Sequence, residues 1–287
     1  MGRVTVKRPV LRVDHGVARE RFDTLVAEEP LELRVGGVPV SVTMRTPGND
    51  FELAAGFVLT EGLVARPGDL RAMRYCTPEP QQYNVLDVEL APGVAPVDST
   101  AARNFFTSSS CGLCGKASID AVRTRSPYSV ADDPLCLSPT TLASLPPRLR
   151  DAQPVFEATG GLHAAGLFDA HGELICLRED VGRHNAFDKV IGWAALEGRL
   201  PLTSHVILAS GRAGFELVQK ALMAGIPVLA AVSAPSSLAV ELADEAGMTL
   251  VGFLRGERMN VYTGERRVTL PERTSTEFRA TEFRPTE

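Results

Sequence analysis

A regular alternation of apolar strands and amphipathic helices in the second half of the chain constrains its fold most strongly. The strands are nearly continuous apolar runs, as expected where helices cover both faces of a largely parallel sheet. We therefore expect an α/β core built from βαβ units, with functional residues at the strand ends. The pattern predicts strand 174–178, helix 185–196, strand 205–209, helix 214–224, strand 227–232, helix 236–246 and strand 249–254.

The first third of the chain predicts a smaller, strand-rich part. Residues 29–46 alternate apolar and polar side chains on both sides of Gly36-Gly37, which indicates a β-hairpin. A helix over 51–61 follows Asn49-Asp50, which offers a cap, and residues 83–90 predict a further strand.

These patterns predict a division into three parts. A strand-rich part covers residues 1–130, the α/β core covers 131–264, and a polar tail covers 265–287. Prolines recur between 130 and 154, so we expect a flexible connection there with room only for short helices. The tail has no core-forming pattern and is expected to be disordered.

Composition excludes several classes of protein. Hydrophobic residues make up 44% and charged residues 23% of the 287, as in ordinary globular proteins, and the net charge of -5 gives no general attraction to nucleic acid or anionic membranes. No apolar run approaches the roughly 18 residues that span a bilayer, and the first residues do not resemble a signal peptide. We expect a cytoplasmic protein without nucleic-acid or membrane partners.

The five cysteines are odd in number and lack the regular spacing of a secreted disulfide framework, so reduced thiols are expected. Cys76, Cys136 and Cys176 stand alone and are interpreted as small buried hydrophobes. Cys111 and Cys114 lie two residues apart in a turn rich in glycine and serine. This spacing suits half a metal site, a redox dithiol or a persulfide carrier, and the plain alternative is a structural turn.

The surroundings of this pair favour thiolate. A helix pattern starts at Lys116, directly after the second cysteine. A helix N-terminus or a nearby cation lowers a cysteine pKa from about 8.5, which enriches the nucleophilic form near neutral pH.

Two strand ends predict a place for an anionic ligand. Ser210-Gly-Arg212-Ala-Gly214 and Ser233-Ala-Pro235-Ser-Ser237 each join a strand to a helix start and together suggest one phosphate-binding edge. The alternative is that these serines and glycines merely cap the helices.

Further polar groups stand near other turns. His163 follows Gly160-Gly161, and residues 178–185 gather His184, an acid pair and arginines, so these groups could line a pocket or simply pack beside a helix start. Arg255 and Arg258 surround Gly256 after the last long strand, beside Phe253. Guanidinium groups suit phosphates and stack on rings, which fits a nucleotide-like ligand, although arginines also keep edge strands soluble.

Five motifs in order, between about residues 22 and 263, resemble the formate dehydrogenase accessory sulfurtransferase family, FdhD. No member of the set is missing. The motifs are Cys111-Gly-Leu-Cys114-Gly115, Gly161-Leu-His163-Ala-Ala, residues 179–189 with the sequence EDVGRHNAFDK, Ala209-Ser-Gly-Arg212 and residues 253–258.

The resemblance implies a sulfur carrier that takes persulfide sulfur from a cysteine desulfurase. The sulfur goes to the molybdenum or tungsten bis-molybdopterin guanine dinucleotide cofactor of formate dehydrogenase. It also implies a cytidine-deaminase-like core, a homodimer, binding of a guanine nucleotide such as GDP, and no intrinsic metal site. Cys111 matches the persulfide position and Cys114 its partner. The cofactor-binding segment corresponds to Phe253, Leu254, Arg255, Gly256, Glu257 and Arg258.

Rival hypotheses come from other classes. A structural zinc site needs four ligands, and only one Cys-x-x-Cys pair exists. A zinc deaminase requires a His-x-Glu motif that is absent upstream, and a thioredoxin-like protein would place its pair near a leading βαβ unit. A chaperone that binds the cofactor without moving sulfur differs from the sulfur carrier only in the chemistry at Cys111.

Overall fold

The structure is a computed structural model that describes residues 3–76, 83–97 and 126–269. Short 3₁₀ turns lie at Pro67–Asp69 and Glu265–Arg267. The strands of the described residues are β1 Thr5–Asp14, β2 Val17–Val26, β3 Glu29–Val35, β4 Val38–Arg45, β5 Leu70–Tyr75, β6 Val85–Leu90, β7 His163–Phe168, β8 Leu174–Asp180, β9 Val206–Ala209, β10 Val228–Ala231, β11 Thr249–Arg255 and β12 Arg258–Thr263. The helices there are α1 Asp50–Thr60, α2 Pro139–Asp151, α3 Pro154–Thr159, α4 Arg183–Leu196, α5 Phe215–Met223 and α6 Ser237–Glu245.

The core is a six-stranded sheet in the order β12-β11-β10-β9-β7-β8. Only β9, β10 and β11 run parallel, whereas β12, β7 and β8 are each antiparallel to their neighbours. The prediction of a largely parallel sheet is therefore wrong, and the sheet is mixed. The similarity of this core to cytidine deaminases stays a prediction.

Tight turns explain the mixed directions, because a strand that follows a short turn pairs antiparallel with its predecessor. Gly256-Glu257 joins the paired Arg255 and Arg258 at the turn from β11 to β12. Between β7 and β8, the Asp169 carboxylate accepts hydrogen bonds from the backbone N–H groups of His171 and Glu173.

Both faces of the core sheet are buried, as its apolar strands predicted. On β9, Ile207 and Ala209 pack against α4, α5 and α6, while Val206 and Leu208 pack on the opposite face. There they meet α2, whose buried Leu142, Leu145 and Leu149 follow helical spacing. The predicted helices and strands of this half are confirmed to within a few residues.

The segment between 130 and 154 is not the connection with short helices that its prolines predicted. Its helix α2 has 13 residues, begins with Pro139 after the capping side chain of Ser138, and contains Pro146 and Pro147. The two internal prolines remove backbone donors, but the helix persists because its leucine face packs onto the sheet.

The start of the predicted tail belongs to the fold. Arg267 is almost completely buried and donates hydrogen bonds to the backbone oxygens of Val130, Asp133 and Gly247. Val268 forms a bridge with Leu137. The boundary predicted at 264 is therefore wrong for residues 265–269, because buried guanidinium and apolar groups hold them, and residues 270–287 lie outside the described residues.

The N-terminal part forms a separate four-stranded sheet in the order β4-β3-β6-β5, and its predicted β3–β4 hairpin is confirmed. Its helix α1 crosses α4 at Gly56 and Gly192, where added Cβ atoms would overlap the backbone oxygens of Asp188 and Glu52. We call this contact of α1 with α4 and α5 the helix joint. It fixes the N-terminal sheet against the core.

The ribbon of β1 and β2 was not predicted from the sequence. It pairs over all ten residues of each strand and exposes Leu11, Val13 and Phe22. No helix of the described residues is long and apolar enough to cross a membrane.

Candidate functional site

One terminus of each of the six core strands lies at the same edge of the sheet, with the start of β12 beside the end of β11. The parallel strands β9, β10 and β11 end there, and β7, which runs the opposite way, begins there. His163 at the start of β7 pairs with Asp180 at the end of β8, so the start of α4 reaches the same edge. We call this set of termini and the loops that follow them the strand-end edge.

The loops of this edge are tied to one another by backbone hydrogen bonds. Ser233 N–H donates to the Gly211 oxygen at 3.2 Å, and Phe253 N–H donates to the Ser233 oxygen at 3.1 Å. The loops after β9, β10 and β11 thus form one continuous surface. The two predicted phosphate-binding turns are therefore neighbours, as the sequence suggested.

Two serines in these turns have structural partners. The Ser210 hydroxyl accepts a hydrogen bond from Ala164 N–H at 2.8 Å, and Ser236 caps α6 by accepting from Ala239 N–H at 3.3 Å. The capping interpretation is therefore correct for Ser236. Gly211, Arg212 and Ser233 of these turns remain candidates for ligand binding.

The segment from Phe253 to Arg258 borders a groove of about 1480 Å³ beside the β11–β12 turn. Phe253 has a φ of 52°, a left-handed conformation that is rare for residues other than glycine, and its side chain is 41% exposed. Such strain tends to mark functional sites. The residues that line the groove are Pro139, Phe253, Arg255, Glu257, Arg258, Met259, Asn260, Val261, Glu265 and Val268.

The charged side chains of the groove have few hydrogen-bond partners among the described residues. Arg255 donates through Nε to the Val232 oxygen at 2.9 Å, which orients its guanidinium without a carboxylate partner. The side chains of Glu257 and Arg258 form no hydrogen bond or ion pair with other described residues. By contrast, Leu254 is fully buried in the core, so among the six predicted cofactor-binding residues its side chain does not line the groove.

A second polar cluster occupies the other side of the strand-end edge. The imidazole of His163 lies against Gly211, and the His184 Nε2 atom is 3.7 Å from Glu216 Oε2. Burial lowers the pKa of His163, and the nearby Arg183 and His184 lower it further. Burial alone would raise the pKa of Glu216, but His184 and the start of its helix lower it below its ordinary value.

Much of the motif at 179–189 proves structural. Glu179 accepts hydrogen bonds from the first N–H groups of α3, and Asp180 pairs with buried Lys189 at 2.7 Å. Asp188 pairs with buried Lys220 at 2.9 Å within the helix joint. The acid pair Glu179 and Asp180 therefore does not line a pocket, whereas Arg183 and His184 do reach the strand-end edge.

Comparison with known proteins agrees with this arrangement. The family model of the FdhD/NarQ family matches residues 26–269. The chain belongs to the FdhD/NarQ family. The match begins at the last residue of β2 and ends at the last described residue, so it includes both the helix joint and the strand-end edge and leaves out most of the β1–β2 ribbon.

Relatives of the FdhD/NarQ family resemble the chain over almost its whole length. The sulfur carrier protein FdhD of Streptomyces avermitilis is 60% identical over 275 residues, which cover 94% of this chain and 98% of the relative. The protein of the same name from Anaeromyxobacter dehalogenans is 49% identical over 273 residues, covering 91% of this chain and 92% of the relative. The family predicted from the five motifs is thus confirmed.

A solved structure shares the fold. The crystal structure of a putative formate dehydrogenase accessory protein from Desulfotalea psychrophila matches with a TM-score of 0.74 at 25% identity. The match covers 93% of this chain and 100% of that chain.

The two predicted catalytic cysteines, Cys111 and Cys114, lie outside the described residues. Of the other thiols, Cys176 is buried, and burial raises its pKa to about 11. Cys136 is exposed, 3.3 Å from the Thr269 hydroxyl, so its predicted burial is wrong. In the described part of the chain, no three histidine, cysteine or acidic side chains cluster closely enough to hold a metal ion.

Proposed function

We propose that this chain is a sulfurtransferase that carries persulfide sulfur from a cysteine desulfurase to the molybdenum or tungsten bis-molybdopterin guanine dinucleotide cofactor of formate dehydrogenase. Cys111 accepts the sulfur, Cys114 assists, and the chain works as a homodimer in the cytoplasm. Membership of the FdhD/NarQ family and the names of the relatives support the sulfur-carrier role.

The groove beside the β11–β12 turn is the observation that carries the cofactor part of this proposal. Arg255 and Arg258 place guanidinium groups where a phosphate can accept from them, and the partly exposed Phe253 ring offers a surface for a flat base. Glu257 adds an acceptor for donor groups of the base. This combination of ring, cation and acceptor suits a guanine nucleotide.

Sulfur uptake follows from thiolate exchange. The Cys111 thiolate attacks the outer sulfur of the donor's persulfide, the S–S bond of the donor breaks, and its cysteine leaves as a thiolate. The product is Cys111-S-SH, so sulfur changes carrier without any net change in oxidation.

Two routes release the sulfur to the cofactor. In one, the Cys114 thiolate attacks the inner sulfur of Cys111, the outer sulfur leaves as hydrosulfide, and a Cys111–Cys114 disulfide forms, which a dithiol reductant must reopen. In the other, the Cys114 thiolate takes the outer sulfur and frees the Cys111 thiolate; a dithiol reductant then attacks the inner sulfur of Cys114, the outer sulfur leaves as hydrosulfide, and the disulfide resides on the reductant. The first route alone leaves a disulfide within the chain for each sulfur delivered, so counting its thiols after a single turnover distinguishes the two.

Intact mass of the full chain after incubation with a cysteine desulfurase and cysteine tests the uptake step. We expect a gain of one sulfur atom that a reductant removes, and loss of that gain in Cys111→Ala. Cys136→Ala is the matched control because this exposed thiol has no part in the proposal and its loss should leave the gain unchanged. A Cys111→Ala protein that still gains reducible sulfur contradicts the assignment.

The second candidate function is a cofactor chaperone that does not move sulfur. The groove favours it equally, because none of the residues that line the groove is a cysteine. A wild-type protein that binds GDP but never gains sulfur from the desulfurase would establish this alternative.

A further inference from the structure

Three basic side chains gather at the strand-end edge on the side away from the groove. His163 begins β7, and Arg183 and His184 begin α4. Three strand spacings separate β7 from β11, or about 14 Å. This cluster is therefore distinct from the groove that contains Arg255 and Arg258.

The cluster is a built part of the fold, because its members have fixed positions. A Cβ atom on Gly211 would lie 3.3 Å from Nδ1 of His163, so glycine at this position lets the imidazole lie directly against the backbone. The side chain of His184 is 15% exposed. Glycine and close packing thus hold both rings at the edge.

Two buried nitrogen atoms of the cluster stand out. Arg183 Nε and His184 Nε2 are buried, yet neither has a hydrogen-bond partner among the described residues. The Glu216 Oε2 atom lies 3.7 Å from His184 Nε2, which is too long for a hydrogen bond. Buried polar atoms are nearly always paired, so these two nitrogens point to a group that the described residues do not supply.

The charges around His163 favour an anion as that group. Burial is the main cause of the lowered pKa of His163, and the neighbouring Arg183 and His184 from α4 lower it further, so basic groups adjoin its ring. Asp180 from β8 opposes them, but its carboxylate is already engaged by Lys189, Asn185 and the backbone. Glu216 from α5 faces His184. An anion between the basic groups would relieve the repulsion.

We propose that His163, Arg183 and His184 form a binding site for an oxyanion of the phosphate class, separate from the groove. The first N–H groups of α4 face the same edge, and no side chain caps them. Basic and N–H groups of this kind suit the oxygens of a phosphate.

This site goes beyond the proposed function, since it requires neither sulfur transfer nor the groove. Its phosphate has two sources. It is either a free phosphate or a phosphate group of a nucleotide-containing ligand that reaches across the strand-end edge from Phe253.

Histidine-ring NMR of the wild-type full chain, titrated with inorganic phosphate, tests the proposal without a substitution. We expect the His163 and His184 signals to shift and the pKa of His163 to rise, because the anion offsets Arg183 and His184. Phosphate affinity should accordingly increase as pH falls. His171, in the β7–β8 turn, and His205, before β9, lie at the opposite ends of their strands and are the matched controls.

Variants test which side chains bind the phosphate. Arg183→Gln should weaken phosphate binding by roughly tenfold, the loss expected for one charge-assisted hydrogen bond, while circular dichroism shows an unchanged fold. In Arg255→Ala/Arg258→Ala the response to inorganic phosphate should persist. If GDP shifts the His163 signal in wild type but guanosine does not, the phosphate belongs to the nucleotide; a response to inorganic phosphate alone indicates a free anion.

The proposal is overturned if saturating phosphate leaves His163 and His184 unchanged in the wild type. Equal shifts of His171 and His205 would also overturn it, because they would indicate unspecific screening of surface charge.

Discussion

The helix joint and the strand-end edge both concentrate charged side chains, but they use them in opposite ways. At the joint, buried Lys220 pairs with Asp188, and beside the joint buried Lys189 of α4 pairs with Asp180, each at less than 3 Å. At the edge, Arg258, Glu257 and Arg183 retain groups that no described residue satisfies. Paired buried charges specify how two units pack, whereas unsatisfied charges at strand ends are available to a ligand.

Electrostatics support this difference. Burial alone would lower the pKa of the Lys220 ammonium, but Asp188 and Glu61 raise it above its ordinary value, so the joint keeps its cation. At the edge, the pKa of His163 falls mainly because the ring is half-buried, and Arg183 and His184 lower it further. The buried lysine of the joint thus has acidic partners, whereas Arg258 at the edge has none among the described residues.

The largest effect is expected from breaking the buried ion pair beside the joint. Lys189→Met leaves Asp180 buried without its cation and removes the hydrogen bond to the Thr46 oxygen, so the free energy of unfolding should fall by roughly 3–5 kcal/mol. Denaturant unfolding of the full chain measures this loss. Arg258→Ala at the edge is the contrast and should change stability by less than about 0.5 kcal/mol. Equal losses of stability from the two substitutions would contradict the difference between the joint and the edge.

A smaller loss is expected from crowding the helix crossing. In Gly192→Ala the new methyl group overlaps the Glu52 backbone oxygen, and the helices must separate, which should cost roughly 1–3 kcal/mol. Gly68→Ala is the control, because its Cβ would meet nothing within 4 Å. A thermal melt of Gly192→Ala that coincides with wild type would show that the crossing tolerates the extra volume.

Removing the groove cations should affect binding and leave stability almost unchanged. Arg255→Ala/Arg258→Ala should weaken GDP binding by at least about tenfold, since charge-assisted contacts to phosphate are lost. Arg71→Ala/Arg74→Ala, which removes exposed arginines of β5, is the matched control for net charge. If calorimetric titration gives the same GDP affinity for both double variants, the groove arginines do not bind GDP.

The smallest effect concerns Glu216. Its pKa in the folded chain is lowered from the ordinary 4.5, so its contribution to stability is present above that value and is lost as pH falls through the folded pKa. Glu216→Gln should lack this part of the acid dependence. The wild-type and variant stabilities, measured by denaturant at several pH values, should therefore converge toward acid; a constant difference would mean that the carboxylate acts only through packing.

The sequence predicted most of the core but not its strand directions. The apolar runs of β9 to β11 identified buried strands, and the Gly36-Gly37 pair identified a hairpin. The direction of β12 depends on a two-residue turn at Gly256, which the pattern of alternating helices and strands does not reveal. Likewise β7, with the sequence HAAGLF, has small residues where β-branched ones would mark a strand.

The sequence predicted individual residues of the candidate site but not how the fold brings them together. Arg255 and Arg258 were identified because they follow a strand, and the structure brings them to a groove. The contact of His163 with Gly211 depends on the pairing of β7 with β9, which joins residues over 40 positions apart. The acid pair Glu179 and Asp180 suggested a pocket because sequence alone does not show that Asp180 pairs with a buried lysine.

Native mass spectrometry of the full chain, after incubation with a cysteine desulfurase, cysteine and GDP, tests the central claim most directly. The account predicts one reducible sulfur and one GDP on the same wild-type subunit, GDP alone on Cys111→Ala, and sulfur alone on Arg255→Ala/Arg258→Ala. A wild-type subunit that takes up no sulfur, or a Cys111→Ala subunit that takes up as much as wild type, would contradict it.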